Sequence, residues 1–418
     1  MRKTAIIISL LGITGLASAQ EPPVVTPQES PVVKAQSAVQ DSSDVIEFEQ
    51  RAPKIQEPQP TKEKSKKSSF KIPQWIKGIK LSGYAIVEYK GQNQKYAKSN
   101  SFNLRYLRLA LEGRIAKHFF WKVQMQANGQ TSTLGKSPRL VDLYGEWQKF
   151  EFLRIKAGQF KRPFTFENPI NPIDQGFYNY SQGIRFLAGM SDRTGEHPSN
   201  GRDIGIQLQG DFLKNSNGRN LLHYQVGIFN GEGINTTDGD NKKDIIGGLW
   251  VMPVEGLRLG VFGWIGSRNI VYTDITSHEV TADDGTVVIV NETTSNIVNA
   301  KKRRYAISAE YVNNDWTFRS EYIHSQGWGQ DLSMGDKADA FYALCIAPII
   351  KDRLHVKARY DLYRPSKTWN RSITYYEIGA DYMFNKYLQI NLEYARVNNR
   401  SLIKENYDMI HAQLSFRF

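Results

Sequence analysis

The sequence predicts an all-β protein: a transmembrane antiparallel β-barrel of about 16 strands, with short turns at one end and long loops at the other. Three observations carry this. From residue 79 onward, segments with an apolar residue at every second position recur to the C-terminus. The connections between them alternate between short and long. Past the N-terminal segment there is no apolar run of the ~18 residues a membrane helix needs, and a barrel escapes that test because only alternate residues meet lipid.

Taken in order, Arg2 and Lys3 precede an apolar stretch from Ala5 to Leu16, and Ala17-Ser18-Ala19 supplies the small residues of a cleavage site. Residues 1–19 read as a secretory signal peptide. Residues 20–74 are poor in aromatics and rich in Pro, Gln, Ser, Glu and Lys. That composition cannot bury a core, so the segment reads as a disordered periplasmic linker. The barrel is expected over residues 75–418.

Its first strand puts Leu81, Gly83, Ala85, Val87 and Tyr89 on one face. Leu107, Leu109 and Leu111 follow, opposite Arg108, Glu112 and Arg114. Phe119, Trp121, Val123 and Met125 then oppose Lys122, Gln124 and Gln126. Two further strands carry Val141 to Trp147 and Leu153 to Ala157. The pattern returns at 201–213, 220–230, 243–252, 257–267, 302–312, 315–324, 337–347, 352–362, 373–384, 387–397 and 408–418. In the last, Ile410, Ala412, Leu414, Phe416 and Phe418 alternate with His411, Gln413, Ser415 and Arg417. Such alternation marks a strand with one apolar and one polar face. Long connections are expected at 91–101, 130–137, 161–200, 231–242, 268–301, 325–336, 363–372 and 398–407. With the first strand running outward, both termini are periplasmic. The polar face is strongly charged, so the interior is expected to be wet, unlike that of a soluble sandwich.

The formal charge is +12. Arg2 and Lys3 account for two of these charges and the tail is balanced, so ten fall on residues 75–418. Nucleic acid is a poor explanation for a secreted chain. The single cysteine, Cys345, rules out an internal disulfide. No phosphate loop, dinucleotide glycine pattern, zinc pattern or nucleophile elbow occurs. Asp238-Gly239-Asp240-Asn241 lacks the spacing of a calcium loop and reads as a polar turn. No cofactor, metal or enzymatic activity is expected.

The run Leu153-Arg154-Ile155-Lys156-Ala157-Gly158-Gln159-Phe160-Lys161-Arg162-Pro163-Phe164 resembles the strand-to-loop segment of the phosphate-selective porin O and P family. Gly201-Arg202-Asp203-Ile204-Gly205-Ile206-Gln207-Leu208 resembles that family's next strand. Gly227-Ile228-Phe229-Asn230-Gly231-Glu232-Gly233, with Asn241-Lys242-Lys243-Asp244, resembles a later loop. The resemblance covers roughly residues 75–418. It implies a sixteen-stranded porin in the outer membrane of a Gram-negative bacterium, often a trimer, whose loops narrow the pore. Outer-membrane lipid and small anionic or hydrophilic solutes, phosphate among them, would be its partners. A plugged barrel acting as a surface-structural or adhesion protein is the alternative.

In barrels that this chain resembles, the third long loop folds inward, which here is 161–200. It carries Lys161, Arg162, Arg185 and Arg193, together with Phe164, Phe166, Phe177, Tyr178, Tyr180 and Phe186. It is read either as a basic gate or as a folded cap held by its aromatics. Along the polar face, basic and acidic residues nearly balance, and most are expected to pair across strands. Selectivity then rests on local charge. Arg154 and Lys156 beside Lys161 and Arg162 form one basic cluster. Lys357 and Arg359, with His355, form the other. These six cations, together with Arg185 and Arg193, are the candidate anion contacts.

Overall fold

The computed structural model describes residues 6–8, 78–128, 138–196, 200–281 and 287–418. The expected signal peptide, apart from Ile6–Ile8, and the linker at 20–74 lie outside the described residues. Sixteen strands close into one antiparallel ring. In chain order they are β1 (Lys80–Gln92), β2 (Ser99–Ile115), β3 (Phe119–Gln126), β4 (Arg139–Trp147), β5 (Arg154–Lys161) and β6 (Arg202–Lys214). Then come β7 (Asn220–Phe229), β8 (Asp244–Val251), β9 (Leu257–Thr281), β10 (Val287–Asn313) and β11 (Trp316–Gln326). The ring ends with β12 (Lys337–Ile350), β13 (Leu354–Arg364), β14 (Ile373–Asn385), β15 (Leu388–Asn399) and β16 (Asn406–Arg417). Each strand pairs with its neighbour in sequence, and β16 closes on β1 with Met409 opposite Gln92 and Arg417 opposite Tyr84. Among the described residues no helix is long and apolar enough to cross a membrane.

The two faces follow from the period-2 pattern. On β2, Leu107, Leu109 and Leu111 are exposed while Arg108 and Ala110 between them are buried. A soluble core would reverse this; in a membrane the exposed apolar face meets lipid. The turn between β10 and β11 needs two residues at positive φ, and Asn314 (46°) and Asp315 (71°) provide them. Bulges interrupt the ladder at Ile86/Val87, Gln124/Met125, Pro348/Ile350 and Met383/Asn385.

Two expectations are corrected. Residues 268–301 are not mainly loop: β9 runs for 25 residues and β10 for 27, against the 9–11 or so that a tilted membrane strand requires. Their outer stretches are rich in Val, Ile and Thr, whose branched side chains favour extended backbone. Residues 279–281 and 287–290 belong to a separate compact unit, in which Ile6–Ile8 pair in parallel with Val288–Val290. Nor is the barrel interior uniformly wet. Phe160, Phe164, Phe166, Tyr180, Ile184, Leu187, Phe229, Phe262 and Trp264 form a buried apolar cluster inside it. Most of these residues come from the long segment between β5 and β6, which contains the single α-helix among the described residues, α1 (Gln182–Leu187).

Candidate functional site

The described part of the segment between β5 and β6, residues 162–196 with 200 and 201, folds into the barrel. Its neck is tied where Arg162 donates its backbone N–H to the Gly201 carbonyl (2.9 Å) and the Asn168 amide bridges the carbonyls of both residues (2.9 and 3.2 Å). Arg162 is fully buried. Its guanidinium reaches Glu196 (2.5 Å) and Asp203 (2.7 Å) and lies 4.9 Å from the centre of the Trp264 ring. Lys302 on β10 pairs with Asp244 (2.6 Å), and Arg304 pairs with Asp192 (2.5 and 2.7 Å). Lys302 and Arg304 also lie over Trp264, at 5.5 and 4.5 Å. The indole of Trp264 donates to Asp244 (2.8 Å). Buried charge is tolerated only when paired and hydrogen-bonded, and this network meets that condition.

Beyond the neck, wall side chains satisfy the loop's backbone. The N–H groups of Phe166 and Glu167 donate to Glu321 (2.6 and 3.2 Å). Tyr178 N–H donates to Glu393 (2.7 Å), and Gln182 N–H to Asp361 (2.8 Å). In return, Lys357 donates to the Gly176 carbonyl, Arg359 to that of Asn179 (2.8 Å) and Arg304 to that of Leu187 (3.0 Å). The Tyr178 ring stacks on His411 at 3.6 Å. Backbone groups held inside a barrel need such partners, so the loop is anchored along β10, β11, β13, β15 and β16.

Toward the long-loop end a different set of cations remains. Arg105 pairs with Glu88 (3.5 Å), donates to Asn179 (2.5 Å) and lies 4.1 Å from the Tyr178 ring centre. The charge of Arg185, in the last turn of α1, acts on Lys90, where Glu88 opposes it, and reaches the rings of Tyr375 and Tyr407. Among the described residues neither Lys90 nor Arg185 has a carboxylate partner, and both are part-exposed.

Residues 83–226 match the family described as phosphate-selective porin O and P. No curated protein sequence matches the chain. Among solved structures, OprB of Pseudomonas putida, at high pH, matches with a TM-score of 0.56 at 11% identity, over 82% of this chain and 95% of that one. OmpT of Vibrio cholerae gives 0.55 at 11% identity, over 81% and 97% of the two chains. OmpF of Salmonella typhi, in complex with daunomycin, gives 0.55 at 14% identity, over 81% and 97%. At such identities the likeness shows the fold. The fold is that of outer-membrane porins, and the family match falls within the barrel, from β1 to β7.

In a porin, a side chain acts on solutes only if its charge is not spent within the wall. That test separates the eight candidates. Arg154 pairs with Asp211 (2.6 Å). Lys156 lies 3.8 Å from Glu146 and over the rings of Tyr144 and Phe160. Lys161 donates to the carbonyls of Asn168 (2.7 Å) and Ile170 (3.3 Å) and to the Tyr180 hydroxyl. Arg162 is locked in the neck. The expected cluster of these four is thus divided among separate internal partners. Lys357 binds Glu393 (2.7 Å) and Asn391 (2.5 Å), and Arg359 binds Glu377 (2.5 Å), so the second cluster also anchors the loop. Arg193 donates to the Gly335 carbonyl (2.9 Å) and has no acid partner among the described residues. Arg185 stays available. Lys90 and Arg105 were not singled out from the sequence. Lys90 could have been, since it continues the inward row through Glu88. Arg105 could not, because the bulge at Ile86/Val87 breaks the alternation beside it.

Proposed function

We propose that this protein is a passive outer-membrane channel for small hydrophilic solutes, with a preference for anions set by Lys90 and Arg185 beside Arg105. The observation that carries this reading is the clustering of part-exposed Lys90 and Arg185 beside Arg105 at the long-loop end, where neither Lys90 nor Arg185 forms an ion pair with a carboxylate among the described residues. A local positive constriction attracts anions whatever the net charge of the molecule. The family's name supports phosphate as one solute. The short-turn end and both termini would face the periplasm, with the signal peptide removed and residues 20–74 serving as a tether. A trimer form of OmpT of Vibrio cholerae is among the similar structures, at a TM-score of 0.54, and supports a homotrimer here.

The test is a planar-bilayer recording in a salt gradient. The wild-type reversal potential is expected to favour anions, and the K90Q/R185Q variant to move it toward neutrality. A cation-selective wild type, or a variant that leaves the potential in place, would overturn the preference. A barrel without conductance would overturn the channel itself. Comparing phosphate with chloride currents decides whether phosphate is favoured.

A further inference from the structure

At the long-loop end a cavity of about 350 Å³ is lined by Phe186 of α1, Arg193 of the inward loop, Met334, Tyr363, Arg371 and Ile373. These residues come from four separate parts of the chain. Phe186 and Tyr363 stack at 4.7 Å with their planes 21° apart, which gives the cavity a rigid aromatic side. Met334 and Ile373 add apolar surface. A concave, mainly apolar site of this size with a few converging polar groups is the usual form of a small-molecule site.

The polar groups are unequal in sign. Two acids also line the cavity, of which only Asp192 is held in an ion pair. Asp192 is bound by Arg304 (2.5 and 2.7 Å). Asp331 accepts from the backbone N–H (2.9 Å) and hydroxyl (2.6 Å) of Ser333. Among the described residues neither Arg193 nor Arg371 forms an ion pair with an acid. Arg371 donates only to Ser333 Oγ (3.0 Å) and Met334 Sδ (3.0 Å). Arg193 donates to the Gly335 carbonyl, and its Nη1 is buried with no acceptor. Burial pushes the Arg193 guanidinium below its ordinary range, and the nearby Asp192 and Asp336 carboxylates offset this only in part.

We infer that this cavity is an outer capture site for a small organic anion, a carboxylate carried on an apolar ring. The ring would pack beside Phe186 and Met334, and the carboxylate would bridge Arg193 and Arg371. Guanidiniums bind carboxylates through paired, charge-assisted hydrogen bonds. An apolar flank distinguishes such a solute from a bare inorganic ion, which would leave that surface wet. The inference rests on the channel reading, for which this site would concentrate solute above the Lys90–Arg185 region.

The test uses the full mature chain in detergent and follows benzoate, acetate and inorganic phosphate by calorimetry. Benzoate is expected to bind at least about tenfold more tightly than acetate or phosphate. The R193Q/R371Q variant should lose that affinity about tenfold or more, and F186A should remove the advantage of benzoate over acetate. Heat-modifiable gel mobility reports whether each variant retains the folded barrel. Equal affinity for the three anions, or undiminished benzoate binding in R193Q/R371Q, would overturn the capture site. Anion preference is read separately from the reversal potential in chloride, so failure of one reading is distinguishable from failure of the other.

Discussion

Arg162 shows how a residue that reads as a solute contact becomes a structural one. Its guanidinium answers two buried carboxylates, Glu196 and Asp203, and leaves no room beside it. At Gly189 the backbone has φ +88°, and a Cβ would lie 1.6 Å from Arg162 Nη1. Only glycine supplies both that conformation and that space. Replacing Arg162 by Gln would leave Asp203 buried without its cation and Glu196 with only Lys302, 3.8 Å away. Breaking a buried pair in this way costs about 3–5 kcal/mol. The R162Q variant is therefore expected to keep a heat-modifiable barrel but release the inward loop, with cleavage between residues 162 and 201 by a protease that spares the wild type. Equal resistance of the two proteins would show that the neck does not depend on this pair.

At the level of elements, the inward loop is held by a set of anchors with different responses to acid. Burial pushes the Asp192 carboxyl up. The adjacent Arg304 charge and hydrogen bonds, the Lys302 charge and the Thr194 N–H outweigh it and hold the group below its ordinary range. A carboxylate depressed in the folded state stabilises fully above its unfolded value of about 3.9, and that contribution is lost as pH falls toward the folded value. This anchor should therefore hold from neutral pH down to about 4 and weaken only in stronger acid. The Asp192–Arg304 pair is expected to hold in the wild type across that range, whereas Glu196, pushed by burial up to about 7, loses its charge within it. In single-channel recordings the D192N variant should be noisy already at neutral pH; a quiet D192N channel would remove Asp192 from the set of anchors. The strands themselves were legible in the sequence, since their alternation is local. The ribbon of β9 and β10 was hidden because its Asn, Thr and Ser content resembles a polar loop, while strand pairing kept it extended.

On the scale of the whole molecule, closure is what makes the structure viable. β16 joins β1, and Phe418 exchanges backbone hydrogen bonds with Gly83 at 3.1 and 2.9 Å. In lipid an open edge would leave a row of N–H and C=O groups without water, at several kcal/mol each. Removal of residues 406–418 would expose the edges of β15 and β1 together. The truncated chain is expected to yield no heat-modifiable species on refolding in detergent, whereas the full chain does. Recovery of a folded, conducting barrel from the truncated chain would mean that β15 and β1 can close on each other.

The sequence by itself determined the strands, their two faces, the alternation of short and long connections and the presence of an unusual third loop. All of these are written in neighbours a few residues apart, because side-chain direction in a strand repeats every two residues. Only the tertiary structure decided which charges remain available to a solute. Phe166 meets Glu321 across 155 positions, and Tyr178 meets Glu393 across 215. No local pattern records such pairings. An arginine on the inner face looks the same in sequence whether it ends beside a carboxylate, as Arg162 and Arg359 do, or without one, as Arg185 and Arg193 do. The inward loop makes that choice: by bringing its own acids and carbonyls to the wall it neutralises some cations and leaves others without an acid partner.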